Sequence, residues 1–211
     1  MNFNDVAEGW DTEKRISRAR IIANEIFKSI KAEKVHCALD FGCGTGLISF
    51  NLCDKFDQIT LVDTSKGMID KLNTKIHDSK IQNMQAFNLD INNEFELLGK
   101  YDVIYTSMAL HHIKDVKKSI EILYGLLNND GYLCVVDLVE DDGSFHKLEK
   151  DFDGHNGFNT GEMSKVLEEV GFKNIDIYVF YEDTKDIGGL VIKYSLFIMI
   201  GKKMETVMIS E

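Results

Sequence analysis

The chain has 211 residues, and its 44% hydrophobic and 28% charged residues are the proportions of an ordinary folded domain. Its 24 basic and 35 acidic side chains give a net charge of −11, which repels nucleic-acid phosphates and anionic lipid. We therefore expect neither DNA nor a membrane as a partner. The four cysteines form no CxxC pair and the polar N-terminus is unlike a signal peptide, so the sequence predicts a cytoplasmic protein.

Strand and helix patterns alternate along the chain, which is typical of a parallel sheet covered on both faces. The first predicted helix, 12–31, has one apolar face. Further helices are predicted at 46–55, 66–77, 116–127 and 160–170, with a short one near Phe95. Strands are predicted at 35–41, 58–62, 83–88, 101–106, 132–138, 174–181 and 191–200, and turns at Asn129-Asp130-Gly131 and Gly188-Gly189.

The last two predicted strands fix the topology at the end of the chain. No helix pattern separates them, so they must pair antiparallel. The sequence thus predicts an α/β fold, a Rossmann-like, doubly wound sheet of seven strands that is mostly parallel with the last strand antiparallel. We expect a single domain over 1–211. Residues 139–159 are rich in acids and glycines and predict a mobile lid over the substrate. The alternative is an acidic surface loop held in place by Phe145 and Phe158.

A glycine-rich turn between a predicted strand and a predicted helix is the most informative feature. It reads Asp40-Phe-Gly-Cys-Gly-Thr-Gly46, and glycines at every second position let bare backbone approach a ligand. A second acid, Asp63, ends the next strand, where nucleotide-binding folds place the acid that binds ribose. Leu47 argues against a dinucleotide fingerprint, and the loop lacks the Gly-Lys-Ser/Thr of a P-loop. Asp40 would repel a pyrophosphate, so the turn suits a ligand that carries positive charge.

This turn resembles the first motif of class I S-adenosylmethionine-dependent methyltransferases, an acid followed by Gly-x-Gly-x-Gly. The resemblance extends over essentially the whole chain and implies that S-adenosylmethionine is the cofactor. Its ammonium and sulfonium suit Asp40, its ribose suits Asp63, and Asp90 after the third strand is expected to accept the adenine amino group. The implied cofactor-binding residues are Asp40, Gly42, Cys43, Gly44, Gly46, Asp63, Thr64, Met68, Leu89, Asp90, Ile91, Ser107 and Trp10.

Two other segments strengthen the resemblance. The fourth predicted strand leads into Leu110-His111-His112, and this stretch looks most like the group that contains the menaquinone/ubiquinone C-methyltransferases. The opening from Phe3 to Asp11 resembles the Phe-x-x-x-Ala-x-x-Trp-Asp start of many small-molecule members. That likeness implies that the helical segment 1–33 covers the cofactor.

Histidines are the candidates for a catalytic base, because their pKa lies close to neutral pH. We consider His111, His112 and His155 as catalytic residues, together with His146 of the predicted lid, in no firm order. The alternative for each is a structural hydrogen bond to the backbone.

We predict no metal site. Metal-dependent O-methyltransferases place an acid at the end of the fourth strand and an Asp-Asn pair after the fifth. This chain has Ser107 and Asp137-Leu138 at those places, and Asp141-Asp142 is expected to be a pair of solvated acids.

The sequence therefore predicts a metal-independent methyltransferase that acts on a small molecule by direct in-line transfer. Methyltransferases that act on adenine, cytosine or amide nitrogens resemble one another in an Asn/Asp-Pro-Pro-aromatic motif, which a chain without proline cannot contain. Two alternatives stay open: a methyltransferase acting on a partner protein or RNA, and a non-catalytic S-adenosylmethionine-binding subunit. The methyl acceptor and the oligomeric state cannot be deduced from the sequence.

Overall fold

The computed structural model describes residues 2–30, 36–149 and 152–205. The predicted boundaries at Lys31 and Val35 lie outside the described residues, as do 31–33 of the N-terminal segment and 150–151 of the predicted lid.

Seven strands of the described chain form one sheet. They are β1 (Cys37–Phe41), β2 (Gln58–Asp63), β3 (Met84–Asn88), β4 (Tyr101–Ser107), β5 (Leu127–Leu138), β6 (Lys173–Ile187) and β7 (Leu190–Lys202). Their order in the sheet is β3-β2-β1-β4-β5-β7-β6. The first five strands pair parallel, whereas β7 is antiparallel to both of its neighbours, β5 and β6. The predicted α/β class, mostly parallel with an antiparallel last strand, is confirmed.

The helices cover both faces of this sheet. They are α1 (Phe3–Val6), α2 (Glu13–Ser29), α3 (Leu47–Phe50), α4 (Lys66–Asp78), α5 (Ile91–Glu94), α6 (Val116–Leu126) and α7 (Thr160–Val170), with short 3₁₀ turns at Phe95–Leu97, Leu110–His112 and Ser144–His146. Alternate residues of β4 point to opposite faces: Tyr105 packs in the layer that includes α2 and α4, and Ile104 in the layer that includes α6 and α7. The sheet is therefore doubly wound, with an apolar layer on each face.

The final hairpin is longer than predicted. β6 and β7 pair as far as Ile187 and Leu190 around the predicted Gly188-Gly189 turn, but β5 pairs with β7 only from Leu196 onward. The outer part of the hairpin therefore extends past the end of β5. The added part of β6 escapes prediction because 182–186 are all polar or charged, so no alternation of apolar residues marks a strand there.

Two other predicted elements differ from the structure. The helix predicted over 46–55 is only Leu47–Phe50, because the chain continues in turns over 51–55. β5 begins at Leu127, and the turn predicted at 129–131 lies inside it as an irregularity, with Asp130 at φ 63° and a register shift against Tyr101 and Val103.

Two further features of the described residues concern their helices and their cysteines. None of their helices is long and apolar enough to cross a membrane. The four cysteines are free thiols, and burial raises the pKa of Cys134 to about 12.

A side-chain cap holds the start of α7. Asn159 is this cap, because its Oδ1 accepts the backbone N–H groups of Gly161 and Glu162. We expect Asn159→Ala to lower the free energy of unfolding by about 1 kcal/mol. The matched variant Thr160→Ala should change it by less than about 0.5 kcal/mol. Urea denaturation followed by circular dichroism measures both, and equal effects would contradict the assignment.

Candidate functional site

The main cavity lies at the carboxyl ends of the central strands and has a volume of about 440 Å³. The chain leaves β1 toward one side of the sheet and β4 toward the other, which makes this edge the switch point where open α/β sheets bind ligands. The loops that follow β1, β2, β3 and β4 all line the cavity, together with residues of the N-terminal segment and α2.

The glycine turn contributes bare backbone to this cavity. Gly42 has φ 70°, and a Cβ built on it would lie 2.5 Å from the Cβ of Ala109, which follows β4. The Gly42 and Cys43 N–H groups donate to the Val62 carbonyl at 2.9 and 3.1 Å. The turn is therefore tied to β2 while the loop after β4 packs directly on its backbone.

Asp40 is almost fully buried beneath the glycine turn. Its Oδ2 accepts the Ser49 hydroxyl at 2.6 Å, and the same hydroxyl lies 2.6 Å from the Tyr105 hydroxyl. Because Ser49 donates to Asp40, Tyr105 must donate to Ser49. Burial raises the pKa of Asp40 to about 7, the Ser49 hydrogen bond opposes the rise, and the nearby Asp63 carboxylate adds to it.

Asp63 ends β2 at the wall of the cavity. One carboxylate oxygen accepts the Gly44 N–H at 2.8 Å and the other accepts the Ser65 N–H at 2.8 Å. Burial raises the pKa of this carboxyl group, and the two backbone hydrogen bonds oppose the rise. Asp63 thus connects the glycine turn to the start of α4 and places a carboxylate at the wall of the cavity.

The structure places most of the predicted cofactor residues on this cavity. Asp90 lines it and caps α5, because its carboxylate accepts the Asn92 N–H and the Asn93 amide group. Gly46 and Ile91 do not line it; Gly46 caps α3, and Ile91 is buried in the apolar layer that includes α6. The predicted residues that line it are Trp10, Asp40, Gly42, Cys43, Gly44, Asp63, Thr64, Met68, Leu89, Asp90 and Ser107.

The N-terminal segment is fastened over the cavity by polar contacts. Asn4 Oδ1 accepts the Ser65 hydroxyl at 2.9 Å and the Gly67 N–H at 2.8 Å. Asp11 accepts the Lys75 ammonium at 2.7 Å and the Thr45 hydroxyl. The described part of the segment therefore contacts both the glycine turn and α4, and its covering of a bound cofactor stays a prediction.

A second cavity of about 310 Å³ adjoins the first. The residues that line both are Phe3, Trp10, Arg15, Arg18, Met108 and His112. The rest of its wall comes from Thr12 and Lys14 at the start of α2, from His111 after β4, from the 139–149 segment and from the overhanging hairpin of β6 and β7. Sequence reasoning missed Arg15 and Arg18, although their three-residue spacing on a predicted helix was a signal that they share one face.

His111 is the most firmly held histidine at the second cavity. Its Nδ1 lies 2.5 Å from Oδ1 of the fully buried Asp137, and its backbone N–H donates to Oδ2 of the same carboxylate at 3.2 Å. The Leu138 N–H also donates to Asp137, at 2.8 Å. The carboxylate thus fixes the ring with Nδ1–H toward Asp137, which leaves Nε2 as the free ring nitrogen.

His112 and His146 lie against His111, with ring centroids 4.1 and 5.1 Å away. Burial lowers the pKa of His112 to about 3 and that of His146 to about 4, and the neighbouring histidines lower both further. Both rings are therefore neutral near pH 7. His146 Nδ1 is buried and has no hydrogen-bond partner among the described residues. One nitrogen of each of the three rings lies within 4.8 Å of the others, a spacing that could hold a metal ion.

His155 is placed differently from the other candidates. It lines neither cavity; its Nε2 lies 2.9 Å from the Ile113 carbonyl, and its backbone N–H donates to the His111 carbonyl at 2.7 Å. This histidine ties the 152–159 segment to the loop after β4, and the structure does not bring its ring to either cavity.

Backbone hydrogen bonds join the two ends of the predicted lid to each other in the described residues. The Glu140 N–H donates to the Phe158 carbonyl at 3.0 Å and the Asp141 N–H to the Asn156 carbonyl at 2.8 Å, while Phe145 and Phe158 are buried. Asp141 accepts the N–H groups of Gly143 and Phe145 and so organises this loop. Movement of the segment stays a prediction.

The buried Asp40 generates a prediction about pH. Its pKa is about 7 in the folded protein and ordinarily 3.8, so between pH 4 and 7 unfolding releases a proton and stability falls as the pH rises. We expect Asp40→Asn to gain stability relative to the wild type by up to about 1.4 kcal/mol per pH unit in this window. Urea denaturation at several pH values measures the difference.

The buried histidines His112 and His146 change the stability of the folded protein with pH in the opposite direction to Asp40. Comparing the wild type with Asp40→Asn separates the two effects. The lowered pKa values of the histidines make stability rise with pH below the ordinary value of 6.5, and this contribution is common to both proteins. A difference between variant and wild type that stays constant from pH 4 to 7 would contradict the raised pKa of Asp40.

Known proteins share sequence and fold with this chain. Residues 39–133 match a family model described as a methyltransferase domain. An uncharacterized methyltransferase of Schizosaccharomyces pombe is 32% identical over 153 residues, 66% of this chain and 54% of the relative. A malonyl-[acyl-carrier protein] O-methyltransferase of Ilyobacter polytropus is 29% identical over 136 residues, 64% of this chain and 49% of the relative. The chain spans about half the length of these curated relatives.

Solved structures share the fold. An S-adenosylmethionine-dependent methyltransferase from Aquifex aeolicus superposes with a TM-score of 0.67 and 16% identity, over 94% of this chain and 97% of that one. The likeness to the menaquinone/ubiquinone group stays a prediction, whereas the broader resemblance is confirmed. The glycine turn, the two acids and the family match agree, and the chain carries a class I S-adenosylmethionine-dependent methyltransferase domain.

Proposed function

We propose that the protein transfers the methyl group of S-adenosylmethionine to a small molecule bound in the second cavity, without a metal ion. The observation that carries this proposal is the shared wall of the two cavities. Trp10, Met108 and His112 line both, so a cofactor in the first cavity can direct its methyl group at an acceptor in the second.

The residues of the first cavity fit the cofactor. The glycine turn lets a ligand lie against bare backbone, and 440 Å³ is within the usual range of small-molecule sites. Asp40 lies at the end suited to the ammonium group, Asp63 would hold the ribose, and Asp90 the adenine amino group. The bound cofactor supplies a methyl group already activated by its sulfonium, so the chain chiefly has to align the acceptor and exclude water, which is worth roughly 7–11 kcal/mol.

His111 is the residue best placed to accept a proton from the acceptor. Its ring lines the second cavity, and Asp137 orients it and stabilises the positive charge that forms when Nε2 takes the proton. His112 lies between the cavities with a strongly lowered pKa, which suits contact with a methyl group rather than proton storage. Because its ring nitrogen is engaged by backbone, His155 is proposed to position the loop.

Three other functions are to be compared with this proposal: transfer to a protein-bound acceptor, transfer to RNA, and cofactor binding without catalysis. The relative from Ilyobacter polytropus is named for malonyl-[acyl-carrier protein], a small acyl group carried by a protein, so a carrier-bound acceptor would fit the same cavity. An RNA substrate is disfavoured by the net charge of −11. A non-catalytic subunit would have no need for the second cavity or for the Asp137–His111 pair.

The cofactor assignment is tested by binding. S-adenosylhomocysteine should bind the wild type in the micromolar range or better, and Asp63→Ala should weaken it at least tenfold. This is the loss of about 1.4 kcal/mol or more expected for a buried charge-assisted hydrogen bond. Asp54→Ala removes the same charge from a fully exposed site and is the matched control. Isothermal titration calorimetry that detects no binding to the wild type, or equal preference for NAD, would contradict the proposal.

Metal independence is tested separately. Methyl transfer to an identified acceptor should survive excess EDTA, because Asp137 is engaged by His111 and Asp141 by its own loop. Elemental analysis of the purified protein should find no stoichiometric metal. Activity lost in EDTA and restored by zinc or another transition metal would overturn this expectation and assign His111, His112 and His146 as ligands.

A further inference from the structure

The second cavity concentrates positive charge in an acidic protein. Four cations line it, Lys14, Arg15, Arg18 and Lys185, against two acids, Glu149 and Asp186, although the whole chain carries a net charge of −11. Arg15 and Arg18 project from α2, and Lys185 approaches from the overhanging part of β6. The cations therefore enter the cavity from two separate elements.

Three of these cations have no ion pair among the described residues, whereas Lys14 pairs with Asp183 at 2.9 Å. Arg15 donates to the Trp10 carbonyl at 3.1 Å and Arg18 to the Tyr194 hydroxyl at 3.1 Å. Lys185 donates to the Phe145 carbonyl at 2.9 Å. Each cation is thus held by a neutral acceptor, which orients it without neutralising its charge.

The three cations are also half-buried and close enough to repel one another. Burial lowers the pKa of Arg15, repulsion from Arg18 lowers it further, and Asp11 opposes the change. Burial also lowers the pKa of Lys185, and repulsion from Arg15 and Arg18 adds to this. Glu149 opposes this effect at Lys185 but does not reverse it. Half-buried, mutually repelling cations are stabilised most by an anion placed between them.

The carboxylate of the cofactor does not account for this set. Arg15 and Arg18 line both cavities, and one guanidinium suffices to bind one carboxylate with two hydrogen bonds. Lys185 lines only the second cavity and lies outside the wall of the first. At least one arginine and Lys185 remain for a second anion.

We propose that the methyl acceptor is an anion, and that Arg18 and Lys185 bind its carboxylate or phosphate group in the second cavity. This inference rests on the proposed function, since it names the substrate class of the same site. Phe3, Trp10, Phe145 and Tyr194 line the remaining wall, so the rest of the acceptor packs against aromatic rings. The acceptor is therefore a small organic acid or phosphate ester with an apolar part.

The experiment uses four simple aromatic probes and protein saturated with S-adenosylhomocysteine. Benzoate and phenyl phosphate carry the anion, benzamide is a neutral match, and benzylamine is a cationic one. Ligand-observed NMR at low ionic strength should show both anions binding at least tenfold more tightly than benzamide, with benzylamine the weakest. The stronger of the two anions identifies the acceptor as a carboxylate or a phosphate.

Variants locate the binding. Lys185→Gln should weaken the tighter anion roughly tenfold and leave S-adenosylhomocysteine affinity unchanged, whereas Lys185→Arg should retain anion binding. Lys117→Gln removes the same charge at an exposed site paired with Glu169 and should have no effect. Arg18→Gln should weaken the anion as Lys185→Gln does.

Two results would overturn the inference: benzamide binding as tightly as benzoate and phenyl phosphate, or Lys185→Gln binding both anions as the wild type does. If the wild type fails to bind S-adenosylhomocysteine, the proposed function fails instead. The same titrations on the free protein then still decide whether Arg18 and Lys185 bind an anion.

Discussion

The close approach of two loops at the switch point is the constraint on which the site depends. The backbone of Gly42 lies so near Ala109 that a Cβ at this glycine would come within 2.5 Å of the alanine methyl group. The turn after β1 therefore forms one surface with the loop that follows β4. That surface carries the glycine turn on one side and the paired histidines on the other. Any larger residue at position 42 would separate them.

Two elements far apart in sequence complete the second cavity. α2 supplies two arginines, and the overhanging hairpin supplies Lys185 and Tyr194, which accepts a hydrogen bond from Arg18 at 3.1 Å. The guanidinium of Arg15 lies 3.9 Å from the centroid of the Trp10 ring, so one face of this tryptophan is already occupied by a cation. The shared wall thus joins the cofactor-binding half of the chain to its C-terminal hairpin.

Local patterns allowed the position of the first cavity to be predicted. The glycine turn and Asp63 follow strands directly, so strand and turn signals alone placed them at one edge of the sheet. The second cavity depends on contacts between distant segments. Asp137 meets His111 only because β5 pairs with β4, and Lys185 reaches the cavity only because the hairpin outgrows β5. No periodicity in the sequence marks such contacts, so the sequence alone could not rank His155 below His111 as a candidate base.

The central claim is that the two cavities are the cofactor site and the acceptor site of one reaction. A crystal structure with S-adenosylhomocysteine tests it most directly. The account predicts the ligand against the backbone of Gly42 and Gly44, its ribose hydroxyls on Asp63, and its sulfur directed at the wall shared by Trp10, Met108 and His112. A ligand bound elsewhere, or one whose sulfur faces away from the second cavity, would contradict the account.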